Sequence, residues 1–131
     1  MKMNRFRTYM FVQGAAALSV VLIFASIPDK PVASLFASSS FLISSLGVLF
    51  FEFGRFKSQK SLVVVSSTMA FLLLFILPII VLRLTHWGEN FEEITVGAIS
   101  AQVLHHSSKN AFMLMLVCYF VESFRAQKKG P

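Results

Sequence analysis

Cysteine is almost absent from this chain of 131 residues, and acidic residues are few: six, against twelve lysines and arginines. The single cysteine, Cys118, cannot form a disulfide within the chain, and in its apolar surroundings we interpret it as a small hydrophobic side chain. There is also no glycine-rich phosphate loop, no HExxH, no CxxC and no pair of carboxylates inside the apolar runs. We therefore expect neither an enzyme nor a metal or cofactor site.

Apolar side chains, in contrast, make up 56% of the chain, and fifteen of them are phenylalanines. A water-soluble domain of this length does not enclose that much apolar surface. A hydrocarbon core of roughly 30 Å is crossed by about 20 helical residues, and four apolar stretches are long enough. They cover about residues 9–27, 32–53, 61–84 and 104–124.

The connectors between these stretches are short, which forces consecutive helices to run antiparallel. The sequence thus predicts one all-α domain, residues 1–131, with four transmembrane helices arranged as two antiparallel hairpins. The apolar run of the first stretch is longer than that of a signal peptide, so we expect it to be retained.

The basic residues indicate how the chain is threaded through the membrane. An even number of crossings brings nine of the twelve to one side: Lys2, Arg5, Arg7, Arg55, Lys57, Lys60, Arg125, Lys128 and Lys129. By the positive-inside rule both termini are cytoplasmic, and we expect the inner membrane of a bacterium. The net charge of +6 is then explained by the anionic inner leaflet rather than by nucleic acid.

Small residues recur at about one-turn spacing in the second stretch. Ser34 and Ser38 form one pair, and Ser40, Ser44 and Gly47 form a stripe. Helices in lipid associate through close backbone approach and interhelical hydrogen bonds. We interpret these residues as packing surfaces, with a polar pore lining as the alternative.

Pro78 lies inside the third stretch. It has no N–H to donate to the carbonyl of Leu74, so the helix is predicted to bend there. Pro78 is also a candidate hinge.

The second and fourth stretches end in similar ways. Glu52 precedes Arg55 by three residues, and Glu122 precedes Arg125 by three. Each pair is predicted to meet on one helix face, as a local ion pair or as part of a cytoplasmic docking site for a soluble partner.

The fourth helix is predicted to begin near Phe91, with Asn90 and Glu93 forming a capping box. No proline interrupts the sequence from there to Gln127. Such a helix would be about 55 Å long, much longer than the hydrocarbon core is thick. Residues 91–103 are therefore predicted to form a helical extension that projects out of the membrane or lies along its surface.

A polar run, HHSSKN, opens the membrane part of this helix and ends at Asn110. At 100° per residue, Gln102, His105, His106 and Lys109 share an arc of about 100°. We expect this face to point into the bundle or towards a partner subunit. An ion or proton pathway is the functional alternative; a metal or haem site is disfavoured, because two adjacent histidines diverge too far to chelate one ion.

These patterns predict a small integral membrane protein that acts by protein–protein contact, as an accessory, sensor or assembly subunit. We expect it to form oligomers, to bind another membrane protein, or both. Two alternatives remain: a homo-oligomeric channel or transporter that uses the polar face of the fourth helix, and a membrane protein of immunity or defence.

Overall fold

A computed structural model of the chain, which describes residues 4–56, 58, 60–87, 93–96 and 99–128, consists of long helices and one very short hairpin. The helices are α1 (Arg5–Ser26), α2 (Lys30–Gly54), α3 (Leu62–Phe71), α4 (Leu77–Thr85) and α5 (Ala101–Lys128). A π-helical turn, Leu72–Ile76, joins α3 to α4. The prediction of an essentially all-α fold is confirmed.

Local capping explains where several helices begin. The side chain of Asn4 accepts a hydrogen bond from the backbone N–H of Arg7 at 3.1 Å, and that of Ser61 accepts one from Val64 at 3.2 Å. Each bond satisfies a backbone donor that has no partner within its helix. Pro31 lies in the first turn of α2, where its missing N–H costs nothing.

The third helical stretch is interrupted just before Pro78. The N–H of Leu77 donates to the carbonyl of Leu72, five residues back, instead of the usual four. Because proline cannot continue the ordinary bonding pattern, the adjacent turn widens into a π-helical one. The predicted bend at Pro78 and its role as a hinge both stay predictions.

The segment before α5 differs from the prediction. Instead of a helix, the chain forms an antiparallel hairpin of β1 (Thr95–Val96) and β2 (Ile99–Ser100), with Thr95 opposite Ser100. The helical extension predicted for residues 91–103 is therefore wrong at the described residues 94–96 and 99–100, and α5 begins at Ala101. The cap residue Asn90 and the predicted start at Phe91 lie outside the described residues.

The composition of the segment explains this difference. Ile94, Thr95, Val96 and Ile99 are β-branched, and such side chains favour extended backbone over helix. Ile94 and Ala101 are buried and pack in one apolar cluster with Ile79 of α4. The segment thus folds back onto the bundle rather than projecting away from it.

Hydrogen bonds between distant residues show which helix ends meet. The amide of Asn4 donates to the backbone carbonyl and to the hydroxyl of Ser123, both at 3.2 Å, and so joins the start of α1 to the end of α5. The hydroxyl of Ser61 donates to Glu122 at 2.9 Å, joining the start of α3 to the end of α5. We call this the Glu52 end of the bundle, after the residue at its centre.

The surface of the bundle is strongly apolar. Many large side chains are exposed on every long helix, for example Phe11, Phe50 and Leu62 at 68%, 78% and 73%. Three helical stretches are long and apolar enough to cross a membrane: Arg5–Ser26, Lys30–Gly54 and Leu62–Thr85. The helix α5 is not among them; it carries the polar run that ends at Asn110 in its first turns and charged residues in its last turns.

Candidate functional site

The carboxylate of Glu52 is the centre of a buried polar cluster near the last turn of α2. One of its oxygens accepts hydrogen bonds from Arg5 Nε and from the hydroxyl of Tyr9, each at 2.6 Å. The other accepts the backbone N–H of Ser61 at 2.9 Å. Glu52 is completely buried, and this Glu52 cluster links α1, α2 and the start of α3.

Glu52 thus pairs with Arg5, 47 residues away, and not with Arg55 as the sequence spacing suggested. The guanidinium of Arg5 also lies over the rings of Phe6 and Phe56, at 4.5 and 4.2 Å from their centroids. These rings shield the ion pair and contribute cation–π attraction. Arg55 is exposed, and a buried Glu52 is not available to a docking partner.

The other predicted pair is present. Arg125 lies 3.3 Å from the carboxylate of Glu122 on the same face of α5. The arginine side chain is 66% exposed, so the pair contributes little to stability. A docking role for Glu122 and Arg125 stays a prediction.

A second set of polar groups continues from the Glu52 cluster into the core. Gln13 accepts a hydrogen bond from Ser44 at 2.7 Å and donates to Ser45 at 3.3 Å and to the Tyr119 hydroxyl at 3.5 Å. The Tyr119 hydroxyl is also bonded to that of Thr68. We call these five residues the polar ladder; all are buried, and together they connect α1, α2, α3 and α5.

Sequence reasoning did not single out Gln13, Tyr9 or Tyr119. The available signal was weak: a lone glutamine in the apolar run YMFVQGAAAL requires a polar partner in a dry interior. The sequence does not say which partner. Ser44, in contrast, was predicted as a packing residue, and it is one.

Three phenylalanine rings follow the polar ladder, roughly one helical turn away on α2 and α3. Phe41, Phe71 and Phe112 contact one another with centroid separations of 5.2 to 5.6 Å. This phenylalanine layer separates the ladder from the far end of the bundle.

A pocket of about 270 Å³ lies on the far side of the phenylalanine layer. Its walls are mostly apolar, and α5 supplies His105, Ser108 and Lys109 to them. Of the predicted polar face, therefore, His105 and Lys109 come together at this pocket. Gln102, His106 and Asn110 are exposed and do not line it.

Within the described ranges, no three histidine, cysteine or carboxylate side chains come close enough to hold a metal ion. No protein-family model, curated protein or solved structure matches the chain.

Proposed function

We propose that the chain is a four-span integral protein of the bacterial inner membrane, with both termini in the cytoplasm. We further propose that it acts through contacts with other membrane proteins, as an accessory, sensor or assembly subunit. Burial of Met115 and Tyr119 of α5 against the apolar helices supports a fourth span. The meeting of four helix ends near Glu52, the end where most basic residues lie, supports the orientation.

Labelling of single cysteines tests this threading. In a Cys118→Ser background, Ser58→Cys is expected to react only with a reagent on the cytoplasmic side, and Trp87→Cys only with one on the opposite side. Both positions are exposed, so accessibility does not limit the reaction. Intact membrane vesicles expose the outer side of the membrane to the reagent, and inverted vesicles expose the cytoplasmic side. Reaction of both cysteines from the same side would contradict the proposal.

A role in protein–protein contact is supported mainly by polar groups on the outer surface of α5. His106 and Asn110 are exposed in the bundle, shortly before the exposed apolar residues Met113 and Leu114. Ionisable and amide groups facing lipid are costly. A second protein chain would cover this face and provide hydrogen-bonding partners.

Replacing His106 and Asn110 together with leucine is expected to weaken self-association or partner binding. Interhelical hydrogen bonds in membranes average about 0.6 kcal/mol each, so two correspond to roughly an eightfold decrease in the association constant. Cross-linking in native membranes and mass measurement in nanodiscs would quantify it. The matched control is Phe11→Leu, an exposed apolar change on α1.

A wild-type protein that is strictly monomeric and co-purifies with nothing would argue against this function. The second candidate, a homo-oligomeric channel or transporter, is favoured by the pocket that contains His105 and Lys109. Solute or ion flux through liposomes that contain the purified protein distinguishes it from an accessory role.

A further inference from the structure

The pocket beside the phenylalanine layer opens sideways, between α1 and α5. Among its lining residues, Phe24 of α1 and Lys109 and Met113 of α5 are exposed, so they mark the open side. At the Glu52 end the same two helices are joined by the bond between Asn4 and Ser123. The opening faces the surface that lipid would cover.

The pocket is deep enough to hold part of an extended chain. On α5 its lining extends from His105 to Met113, and on α2 from Ser34 to Phe41. These intervals are eight and seven residues, or about 10–12 Å of helix. The volume of about 270 Å³ is close to the roughly 300 Å³ at which small-molecule pockets begin.

Positive charge is concentrated at the mouth, away from the phenylalanine layer. Lys109 belongs to the lining, and Arg83 lies beside it, donating from Nε to the hydroxyl of Ser34 at 2.8 Å. The lining contains no acidic side chain among the residues that the structure describes. An anion is therefore favoured at the mouth, while the walls favour a hydrocarbon.

We infer that this pocket binds an anionic amphiphile, with its chain against the phenylalanine layer and its carboxylate or phosphate at Lys109. The apolar walls would not contribute to the binding of a bare inorganic anion. The lysine would not contribute to the binding of an uncharged chain. The two sources of this chemistry in a membrane are a free fatty acid and an anionic phospholipid. The inference does not depend on whether the protein forms oligomers.

Photo-cross-linking of the full chain in nanodiscs tests the inference. The probes are stearate, phosphatidylglycerol and phosphatidylcholine, each with a photoactivatable group on the acyl chain, and mass spectrometry measures labelling of Phe41 and Phe112. At least one anionic probe is expected to label these residues roughly fivefold more than phosphatidylcholine does, the effect of one basic residue near a membrane surface. Comparing stearate with phosphatidylglycerol identifies the source.

Variants separate the head-group contact from the chain contact. Lys109→Gln is expected to bring the ratio of anionic to neutral labelling to about one. Ala37→Phe, which fills the pocket, is expected to abolish labelling of the phenylalanine layer, and Val20→Trp serves the same purpose if the first variant does not fold. Leu114→Phe, exposed on α5 outside the lining, is the matched control and should behave as wild type.

Two results would overturn the inference. One is equal labelling by the anionic and neutral probes in the wild type, or a ratio that Lys109→Gln leaves unchanged. The other is labelling of the phenylalanine layer that persists in folded pocket-filling variants. Neither result bears on the oligomeric state, so the test is separate from that of the proposed function.

Discussion

Glu52→Ala is expected to lower the free energy of unfolding by about 3–5 kcal/mol, the usual cost of removing one member of a buried ion pair. The guanidinium of Arg5, whose side chain is only 22% exposed, would lose its counter-charge. The hydroxyl of Tyr9 and the backbone N–H of Ser61 would each lose their acceptor as well. Unfolding by SDS titration in mixed micelles gives the free energy directly.

Two further variants show whether the buried charge is the cause. Arg5→Met combined with Glu52→Leu removes both charges and keeps apolar volume, so it should be less destabilising than Glu52→Ala alone. Arg55→Ala, the control, should leave stability unchanged, because Arg55 is exposed. If Arg55→Ala destabilised the protein as much as Arg5→Ala, the assigned pairing would be wrong.

Tyr119→Ala is expected to be similarly damaging, at about 3–5 kcal/mol, because it empties a fully buried site. The ring packs edge-on against that of Tyr9, with centroids 6.1 Å apart. Its hydroxyl joins Gln13 to Thr68. The same SDS titration measures the effect.

Tyr119→Phe separates the hydroxyl from the ring. It keeps the packing and removes two hydrogen bonds, so a loss of about 1–2 kcal/mol is expected. Phe120→Ala removes a ring from the next position of the same helix, which is 52% exposed, and should have little effect. Equal losses for Phe120→Ala and Tyr119→Ala would show that α5 does not face the bundle in this way.

Helix positions follow from the sequence to within a few residues. The predicted stretch 32–53 lies inside α2, and the stretch 9–27 passes the end of α1 at Ser26 by one residue. The reason is physical: a long apolar run has no stable alternative to a helix in lipid, where every backbone group must be bonded internally. The π-helical turn before Pro78 was not predicted; the sequence predicted a bend there, because proline has no N–H to donate.

The segment around the short hairpin was not predictable from the same rules. The capping pattern at Asn90 favoured a helix, while β-branched residues from Ile94 to Ile99 favoured extended backbone. Packing of Ile94 against Ile79 stabilises the extended backbone. That contact joins residues far apart in the chain, and no local pattern contains it.

The amino-acid order establishes that this chain is apolar, helical and basic at one end of its bundle, because length, hydropathy and charge are properties of each segment alone. The choice of Arg5 over Arg55 as the partner of Glu52 came from the packing of α1 against α2. Likewise, the association of Gln13 with Tyr119, and of Lys109 with an apolar pocket, required helices distant in sequence to meet. Spacing along one helix specifies which side chains share a face, and the neighbouring helices specify what that face contacts.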